Sequence, residues 1–381
     1  MFKKAFSIFS ALLIIISAYP LSARAENGPA VSAKSAIVMD QGGHTVLYAK
    51  NIHGKMPIAS TTKIMTALLT LEAACKNNKT VTITDGMVKV EGSSMGLRAG
   101  NRIKLRSLAE GMLAVSGNDA ANSAATAVGG SLDAFAGMMN EKARALGMND
   151  THYVTPSGLD DKNHYSSAYD LALLASYAME NKDFADIVGK KTIKVHFESP
   201  DETRTYKNHN KLLSMYGGCS GVKTGFTKKS GRCLVSSAEK DGISVIAVTL
   251  SDPCDWDDHK KLLDYGFSKL ESVKTDDTSF SASVPVAGGL KNTVRVSGTE
   301  GENIVVVREN RQNLKRSVQL PRFVYAPVKK GEVLGSVRYA LNGKVVAENE
   351  LTANENIDYK HLQKNFFAKM KDKIKFGLFS R

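Results

Sequence analysis

Residues that bind metal ions are few in this sequence, and they are not grouped. The eight histidines are scattered without a ligand pair such as H-x-x-x-H, and the four cysteines (Cys75, Cys219, Cys233 and Cys254) fit no zinc-binding spacing. We therefore expect no metal site and no cofactor. In an exported protein the cysteines could form disulfide bonds, and four cysteines allow three pairings among which the sequence does not choose.

Acidic residues are outnumbered by basic ones. The sequence has 38 Asp and Glu against 51 Lys and Arg, a formal net charge of +13. No basic helix with interleaved aromatic residues is found outside the C-terminus, so nucleic acid is not an expected partner. A basic protein that is exported is better suited to an anionic membrane or wall polymer.

One apolar run near the N-terminus, residues 5–21, is short for a membrane span and contains Pro20. Lys3 and Lys4 precede this run, and Ala23-Arg24-Ala25 follows it, which is the order found in a secretory signal peptide. We therefore predict a signal peptide over residues 1–25, cleaved after Ala25. The protein is then expected at the outer face of the cytoplasmic membrane or in the wall. A retained anchor helix is the alternative.

Residues 26–272 are predicted to form one domain. Strand patterns at 36–39 and 45–49 are followed by an alanine-rich helical block from 108 to 174. Strand patterns return at 193–197, 219–226, 233–238 and 243–250, and a helix at 257–270 closes the domain. This order predicts an α/β (α+β) fold in which helices cover an antiparallel sheet.

The composition changes at about residue 273. β-branched residues cluster at 284–286, 294–296, 304–307 and 333–341, and Asn342-Gly343 is a strong hairpin signal. Residues 273–355 are therefore predicted to form a small all-β domain. It contains no cluster of Ser, His, Asp or Cys that could perform chemistry, so we interpret it as a spacer or interaction module.

Residues 356–381 are predicted to form an amphipathic helix. Seven Lys and Arg from Lys360 onward face one acid, Asp372, and large apolar residues recur at three- and four-residue intervals: Tyr359, Leu362, Phe366, Met370, Ile374 and Leu378. This composition favours an anchor helix that lies in an anionic membrane surface. The alternative is a helix that docks on its own protein.

A short stretch, Pro57-Ile58-Ala59-Ser60-Thr61-Thr62-Lys63, opens the apolar run 64–74, which is predicted to be helical. Residues three apart lie on one face of a helix, so Ser60 and Lys63 can meet. A serine hydroxyl becomes a good nucleophile when a nearby base takes its proton. Lys63 can be that base if burial or another cation keeps it partly neutral. The alternative for this pair alone is a capping serine and a surface lysine.

Two further motifs change the interpretation of the Ser-Lys pair. Ser116-Gly117-Asn118 lies between two predicted helices, and Lys223-Thr224-Gly225 lies in a predicted strand. Each is common when taken alone. In the order S-x-x-K, S-x-N, K-T-G, the three form a set that is typical of penicillin-binding proteins and class A β-lactamases.

The chain resembles the low-molecular-mass penicillin-binding proteins that are serine-type D-alanyl-D-alanine carboxypeptidases. The resemblance covers nearly all of the mature chain, in the stretches PIASTTKIMTAL, VSGNDAA, MNEKARALGM, SGLDDKNHYSSAYDL and GVKTGFT. It implies a transpeptidase-like domain, a β domain and an amphipathic anchor. It also implies removal of the terminal D-alanine from peptidoglycan stems that end in D-Ala-D-Ala, and covalent inhibition by β-lactams.

The resemblance also implies roles for the motif residues. Ser60 resembles the nucleophile that forms the acyl-enzyme, and Lys63 resembles its general base. Ser116 is similar to the group that relays a proton to the leaving amine, and Asn118 to the amide that helps hold Lys63 and substrate. The oxyanion hole is implied to consist of the backbone N–H groups of Ser60 and Phe226, two fixed donors for the developing charge.

Lys223 is implied to supply positive charge that keeps Lys63 neutral and attracts the substrate's terminal carboxylate. Thr224 and Thr227 are implied to donate hydrogen bonds to that carboxylate. The substrate-binding residues expected from the resemblance are therefore Asn118, Lys223, Thr224, Gly225 and Thr227.

Some positions depart from the family pattern. Some relatives have histidine where Phe226 stands, and Thr155-Pro156-Ser157-Gly158 replaces a commoner N-P-x-G. We assign neither segment a catalytic part. Arg98, Arg204 and His209 lie near cleft segments of the family by rough position, and we interpret them as surface residues.

Two rival functions are weighed against this one. A class A β-lactamase would carry a water-activating E-x-x-L-N, which is absent between Ser116 and Lys223. A non-catalytic wall-binding or sensor protein on the same scaffold is disfavoured because the three motifs are intact. The sequence does not separate carboxypeptidase from endopeptidase preference.

Overall fold

The computed structural model describes residues 28–360, so the predicted signal peptide lies outside the described residues. The described chain forms an α/β domain followed by a β domain. The elements of the first domain, in chain order, are β1 (Ser35–Asp40), β2 (Val46–Lys50), α1 (Lys63–Lys76), β3 (Thr80–Thr82), α2 (Asp85–Val88), β4 (Arg102–Lys104), α3 (Leu105–Val115), α4 (Asn118–Gly129), α5 (Leu132–Ala145), α6 (Ala168–Glu180), α7 (Lys182–Val188), β5 (Thr192–Ser199), β6 (Asp201–Lys207), α8 (Leu212–Met215), β7 (Cys219–Thr227), β8 (Gly231–Lys240), β9 (Ile243–Leu250), α9 (Asp255–Lys269) and β10 (Leu270–Val273).

A five-stranded antiparallel sheet forms the centre of the first domain, with the strand order β2-β1-β9-β8-β7. Strand β1 is buried along its whole length because helices cover both faces of the sheet. Ile37 and Met39 join the core that contains α1 and α6, whereas Ala36 and Val38 join the core formed with α9. This division follows from the alternation of side chains along a strand.

Helix α1 lies inside the domain and packs against α3, α4 and α6. Its residues from Lys63 to Leu71 are all buried. A helix surrounded by other elements has to be apolar on every side, which explains the nearly uniform apolar run that follows Lys63. Because α1 is enclosed, the residues at its N-terminus are held rigidly beside the edge strand β7.

A second sheet, with the order β3-β4-β5-β6, lies beside the helices. The sequence indicated a strand only at 193–197, within β5. Strands β3 and β4 have three residues each, which is too short for a recognisable alternation. Strand β6 reads DETRTYK and is largely exposed, so it lacks an apolar face that would mark it as a strand.

The β domain contains the strands β11 (Ser281–Ala287), β12 (Thr293–Gly298), β13 (Ile304–Val307), β14 (Leu314–Gln319), β15 (Val324–Tyr325), β16 (Val333–Leu341) and β17 (Lys344–Ala353). Six of them form a sheet of order β14-β16-β17-β12-β11-β15, and β13 pairs with β10. Asn342 (φ 50°) and Gly343 (φ 84°) join β16 to β17. Both residues adopt the left-handed backbone conformation that a two-residue hairpin turn requires. The hairpin predicted from Asn342-Gly343 is therefore present.

The C-terminal helix predicted for residues 356–381 is absent from its first five residues. Ile357 is buried in the core of the β domain and pairs with Val328, and Tyr359 pairs with Gly289. These residues continue the β structure, so no helix begins at Ile357. The rest of the predicted helix, residues 361–381, lies outside the described residues. Within residues 28–360 no helix is long and apolar enough to cross a membrane.

All four cysteines are free thiols. Cys75 and Cys254 are exposed, Cys219 is partly buried, and Cys233 is buried beside the carbonyl of Pro57, with 3.8 Å between sulfur and oxygen. None of the three pairings that the sequence left open is formed.

Candidate active site

Ser60 lies in a single 3-10 turn, Ala59–Thr62, that leads directly into α1. Ala59 has a φ of 47°, which L-residues adopt at a cost, so the surrounding structure has to hold it. Thr61 Oγ1 donates to the carbonyl of Ile58 (2.6 Å), and Thr62 Oγ1 donates to that of Ala59 (2.8 Å). These side chains brace the turn and leave Ser60 partly exposed at the mouth of a cleft.

The side chain of Lys63 is completely buried directly behind Ser60. Its Nζ lies 2.9 Å from Ser60 Oγ, 2.7 Å from Asn118 Oδ1 and 2.6 Å from the carbonyl oxygen of Ser157. Burial lowers the pKa of Lys63 well below its usual range, and the charge of Lys223 lowers that pKa further. The spacing of three residues thus brings the predicted serine and lysine into contact.

The second motif lies in the short connection between α3 and α4. Ser116 adopts a left-handed conformation there (φ 61°) and ends α3. Asn118 Nδ2 donates to the carbonyl of Glu91 (2.6 Å), which orients the amide so that its oxygen faces Lys63. The backbone N–H of Asn118 donates to the carbonyl of Ser93 (2.7 Å). Asn118 therefore joins the base to the wall of the cleft.

The third motif lies on the edge strand β7. Lys223 Nζ donates to Ser116 Oγ (3.1 Å) and to the carbonyl of Thr224 (2.9 Å). Burial lowers the pKa of Lys223 to about 7. A side-chain carbon at Gly225 would lie 3.0 Å from the carbonyl oxygen of Ile58 and 3.1 Å from the amide nitrogen of Ser60. Glycine is needed here because β7 runs against the turn that carries Ser60.

A cavity of about 300 Å³ opens beside Ser60. Five of the predicted site residues line it: Ser60, Ser116, Thr224, Gly225 and Phe226. Asn118 and Lys223 lie behind its wall, where they contact Lys63 and Ser116. The side chain of Phe226 is 66% exposed, so in the implied oxyanion hole this residue would act through its backbone.

Thr227 does not line this cavity. Its hydroxyl instead contacts Asp160 (3.0 Å) and Ser230 (2.9 Å) at the end of β7. Arg204 lies outside the cavity too, donating to the carbonyl of Gly96 (2.8 Å).

Other residues of the cavity were missed from the sequence, and one of them, His209, is exposed as interpreted there. His209, which we interpreted as a surface residue, lines the cavity, as do Ser93, Lys211, Arg232, Asp255 and Trp256. Burial lowers the pKa of His209. No motif marked these positions, although Trp256 is the single tryptophan of the sequence.

A buried histidine supports the turn of Ser60 from behind. His164 Nε2 lies 2.8 Å from Thr62 Oγ1, and the N–H groups of Val154 and Thr155 donate to its Nδ1 (3.0 and 3.2 Å). Since Nδ1 accepts, the proton of the neutral ring is on Nε2 and is donated to Thr62. Burial lowers the pKa of His164 to about 4, which keeps the ring neutral.

Within residues 28–360 no group of three or more His, Cys, Asp or Glu is placed to hold a metal ion. The groups in contact at the site are the hydroxyls and amines of two serine–lysine pairs. A neutral lysine in contact with a serine hydroxyl, next to a second lysine–serine contact, is an arrangement for acyl transfer through an activated nucleophile. Fold and site together define a serine hydrolase of the penicillin-binding type.

The chain belongs to the D-alanyl-D-alanine carboxypeptidase family, whose family model matches residues 22–254. The family model "Penicillin-binding protein 5, C-terminal domain" matches residues 267–359. The chain is 32% identical to the D-alanyl-D-alanine carboxypeptidase DacF of Bacillus subtilis, over 85% of this chain and 86% of the relative. It is 33% identical to DacC of Escherichia coli, over 90% of this chain and 88% of the relative.

Solved structures give the same assignment. Penicillin-binding protein 5 from Haemophilus influenzae matches with a TM-score of 0.63 and 28% identity, over 87% of this chain and 99% of that one. The Streptomyces K15 DD-transpeptidase matches with a TM-score of 0.61 and 32% identity, over 64% of this chain and all of that one. The family resemblance and the α/β domain with a β domain after it, both predicted from the sequence, are confirmed.

Proposed function

We propose that this protein is a serine-type D-Ala-D-Ala carboxypeptidase, which removes the terminal D-alanine from peptidoglycan stem peptides through an acyl-enzyme and is acylated by penicillin. The family assignment supports the reaction class. One observation carries the mechanism: the buried Nζ of Lys63 lies 2.9 Å from Ser60 Oγ.

The partners of Lys63 favour a neutral amine that acts as a base. Two of them, the side-chain oxygen of Asn118 and the carbonyl oxygen of Ser157, can only accept hydrogen bonds. A neutral amine has two N–H groups, which satisfy these two acceptors, and one lone pair. That lone pair is then directed at Ser60, whose hydroxyl can donate its proton to it.

Acylation begins when Lys63 takes the proton of Ser60 and Ser60 Oγ attacks the carbonyl carbon of the penultimate D-alanine. The backbone N–H groups of Ser60 and Phe226 receive the oxyanion, and two such donors are worth several kcal/mol together. As the tetrahedral intermediate collapses, the C–N bond breaks and Ser116 passes a proton to the leaving amine of D-alanine. Ser116 regains a proton from Lys63.

Deacylation uses the same groups in reverse. Lys63, neutral again, takes a proton from a water molecule that attacks the acyl carbon. The bond to Ser60 Oγ breaks, and the proton returns from Lys63 to Ser60. The products are free D-alanine and the shortened stem peptide, and with penicillin the same first step opens the β-lactam ring and leaves the drug bound to Ser60.

Penicillin labelling tests the role of Ser60. Fluorescent penicillin should acylate the wild-type protein, and mass spectrometry should find the label on the peptide that contains Ser60. S60A should lose both the label and D-alanine release, by at least a thousandfold, while keeping the wild-type melting temperature. S283A, on an exposed position of β11, is the matched control and should behave as wild type. Label on another residue would refute this mechanism.

We also propose that the enzyme works outside the cytoplasm and is held at an anionic membrane surface by its C-terminal segment. The signal-like N-terminus, the basic residues from Lys360 onward and the apolar stripe among them support this placement. The stem peptides of the wall are found in that compartment, which agrees with the reaction proposed.

A further inference from the structure

The leaving D-alanine brings a carboxylate into the cleft, and this charge requires a cation that stays charged at neutral pH. Lys223 meets this requirement only in part, because burial lowers its pKa to about 7. Burial also lowers the pKa of His209, which lines the same cavity. Two other cationic residues line the cavity, Lys211 and Arg232. Lys211 is exposed and has no ion pair among the described residues, whereas Arg232 is held by one.

Arg232 is fixed by a buried carboxylate. It lies opposite Phe226 in the pairing of β7 with β8, so its side chain starts at the wall of the cleft. Its Nε and Nη2 lie 2.9 and 2.8 Å from one oxygen of Asp255, whose side chain is 3% exposed. The same oxygen accepts the N–H of Trp256 (2.9 Å), and the guanidinium lies 5.5 Å from the centre of the Trp256 ring.

This arrangement leaves part of the guanidinium available to a ligand. The Arg232 side chain is 41% exposed, and within residues 28–360 nothing pairs with its Nη1. A guanidinium held in a fixed plane matches the geometry of a carboxylate and remains charged at every physiological pH. Arg232 thus offers the substrate's carboxylate a permanent positive charge, which Lys223 offers only partly because its pKa is lowered.

Arg232, Asp255 and Trp256 also form a wall between two cavities. A second cavity, of about 350 Å³, is lined by Pro253, Cys254 and Asp257 and shares Arg232, Asp255 and Trp256 with the first. The three shared residues therefore separate the catalytic cavity from the next one. A peptide chain that ran from the first cavity into the second would have to pass these three residues.

We infer that Arg232, oriented by Asp255, is the specificity residue that binds the free carboxylate of the terminal D-alanine and restricts the enzyme to the last peptide bond. This inference rests on the proposed carboxypeptidase function. It assigns to one ion pair the choice between exopeptidase and endopeptidase action, because an internal bond has no carboxylate at this position and its chain meets the wall.

The test compares two substrates that differ in one group: a stem peptide ending in D-Ala-D-Ala and the same peptide with a C-terminal amide. The kcat/KM for each is measured in the wild-type protein and in R232Q, R232K, D255N, K211Q and K229Q. Lys229 is an exposed lysine on the turn between β7 and β8 and serves as the charge-matched control. Melting temperatures are recorded for each variant.

R232Q should lower kcat/KM for the free acid by at least tenfold, mainly through KM, and lower that for the amide much less, so that the preference for the acid collapses. R232K keeps the positive charge but loses the planar guanidinium, so it should lose part of the preference. It also keeps the test valid if R232Q is unstable. D255N should reproduce part of the R232Q effect. K229Q should keep the wild-type preference.

Equal losses for acid and amide in R232Q and R232K would mean that the pair only braces the fold, and would overturn the inference. A preference that survives in both variants, or that collapses in K211Q instead, would overturn it as well. A folded wild-type protein that cleaves neither substrate and takes no penicillin label would instead refute the proposed function, which distinguishes the two failures.

Discussion

At the scale of single residues, His164 and His259 are buried histidines whose partners are neutral groups. His259 Nδ1 and Nε2 lie 2.6 and 3.0 Å from the hydroxyls of Ser236 and Thr249, and burial lowers its pKa to about 3. The pKa of His164 is about 4. In an unfolded chain both values are near 6.5. The unfolded state therefore binds more protons between these limits, and the protein is stabilised above about pH 6.5 and loses that contribution as the pH falls toward 4.

We expect each histidine to add a slope of about 1.4 kcal/mol per pH unit to the free energy of unfolding between pH 6.5 and its own folded pKa. H259Q should therefore remove about that slope from the pH dependence of stability, whatever it does to stability at pH 7. Urea denaturation at a series of pH values measures this. H196Q, an exposed histidine on β5, should keep the wild-type slope. If the free energy of unfolding depended on pH in the same way in the wild type and in H259Q, the prediction would be contradicted.

The sequence was sufficient for part of the site at this scale. The contact between Ser60 and Lys63 follows from their separation of three residues, which places both on one face of the 3-10 turn that leads into α1. The carbonyl of Ser157, which binds Lys63 from the other side, could not be predicted because a backbone group has no signature in the sequence. Arg232 and Asp255 were missed because they are 23 residues apart and meet only when β8 packs beside the start of α9.

At the scale of elements, the segment before α6 passes very close to the turn that carries Ser60. A side-chain carbon at Gly158 (φ 82°) would lie 1.9 Å from the carbonyl oxygen of Ala59 and 2.7 Å from Thr62 Oγ1. Gly130 has almost the same φ, 81°, but nothing lies within 4 Å of its added carbon. Alanine substitutions at the two glycines therefore distinguish two contributions to the loss of stability. At Gly130 only the left-handed backbone is strained, whereas at Gly158 the added carbon also collides with its neighbours.

G130A should lower stability by about 1–2 kcal/mol, the cost of a left-handed L-residue, and leave acylation by penicillin near the wild-type rate. G158A adds the collision, so it should be destabilised more strongly. It should also acylate at least tenfold more slowly, since the displaced segment carries the carbonyl that binds Lys63. Stopped-flow acylation rates and urea denaturation test both variants. If G158A and G130A had equal stabilities and equal acylation rates, the segment that contains Gly158 would be able to move without disturbing Ser60.

Long elements were predictable because each has a repeated pattern. The strands β8 and β9 and the helices α3 to α6 have runs of apolar residues at the period of their structure. The second sheet was not predictable, since β3 and β4 are three residues long and β6 is polar. The false helix start at residue 357 has a physical reason as well: Ile357 and Tyr359 also fit the alternation of a strand, and burial of Ile357 decided between the patterns.

At the scale of the whole molecule, the β domain continues to Lys360, whose N–H donates to the carbonyl of Gly288 (2.8 Å). A truncation that removes Ile357 would open the core of this domain. The predicted anchor should therefore be removed after Lys360. Residues 361–381 carry six Lys and Arg against one Asp, an excess of five positive charges. Near an anionic surface these contribute about 1 kcal/mol each at most, and salt screens them.

We expect the protein that ends at Lys360 to lose binding to anionic vesicles while releasing D-alanine from small peptides at the wild-type rate. The full-length protein should bind such vesicles and lose part of that binding as salt rises. Co-sedimentation with vesicles with and without anionic lipid measures both. If the truncated protein still sediments, or if the full-length protein ignores the vesicles, the C-terminal segment is not a membrane anchor.

The pairing of β1 with β9 determines when this protein can fold. β1 is the first strand of the described residues and lies inside its sheet, between β2 and β9, with Ser35 opposite Leu250. One of its neighbours is therefore made about two hundred residues later. Whether the chain leaves a ribosome or a translocation channel, it emerges with its N-terminus first, and the central sheet stays open until Leu250 is free. The site around Ser60 is therefore completed only after Leu250 has been made and β9 has paired with β1.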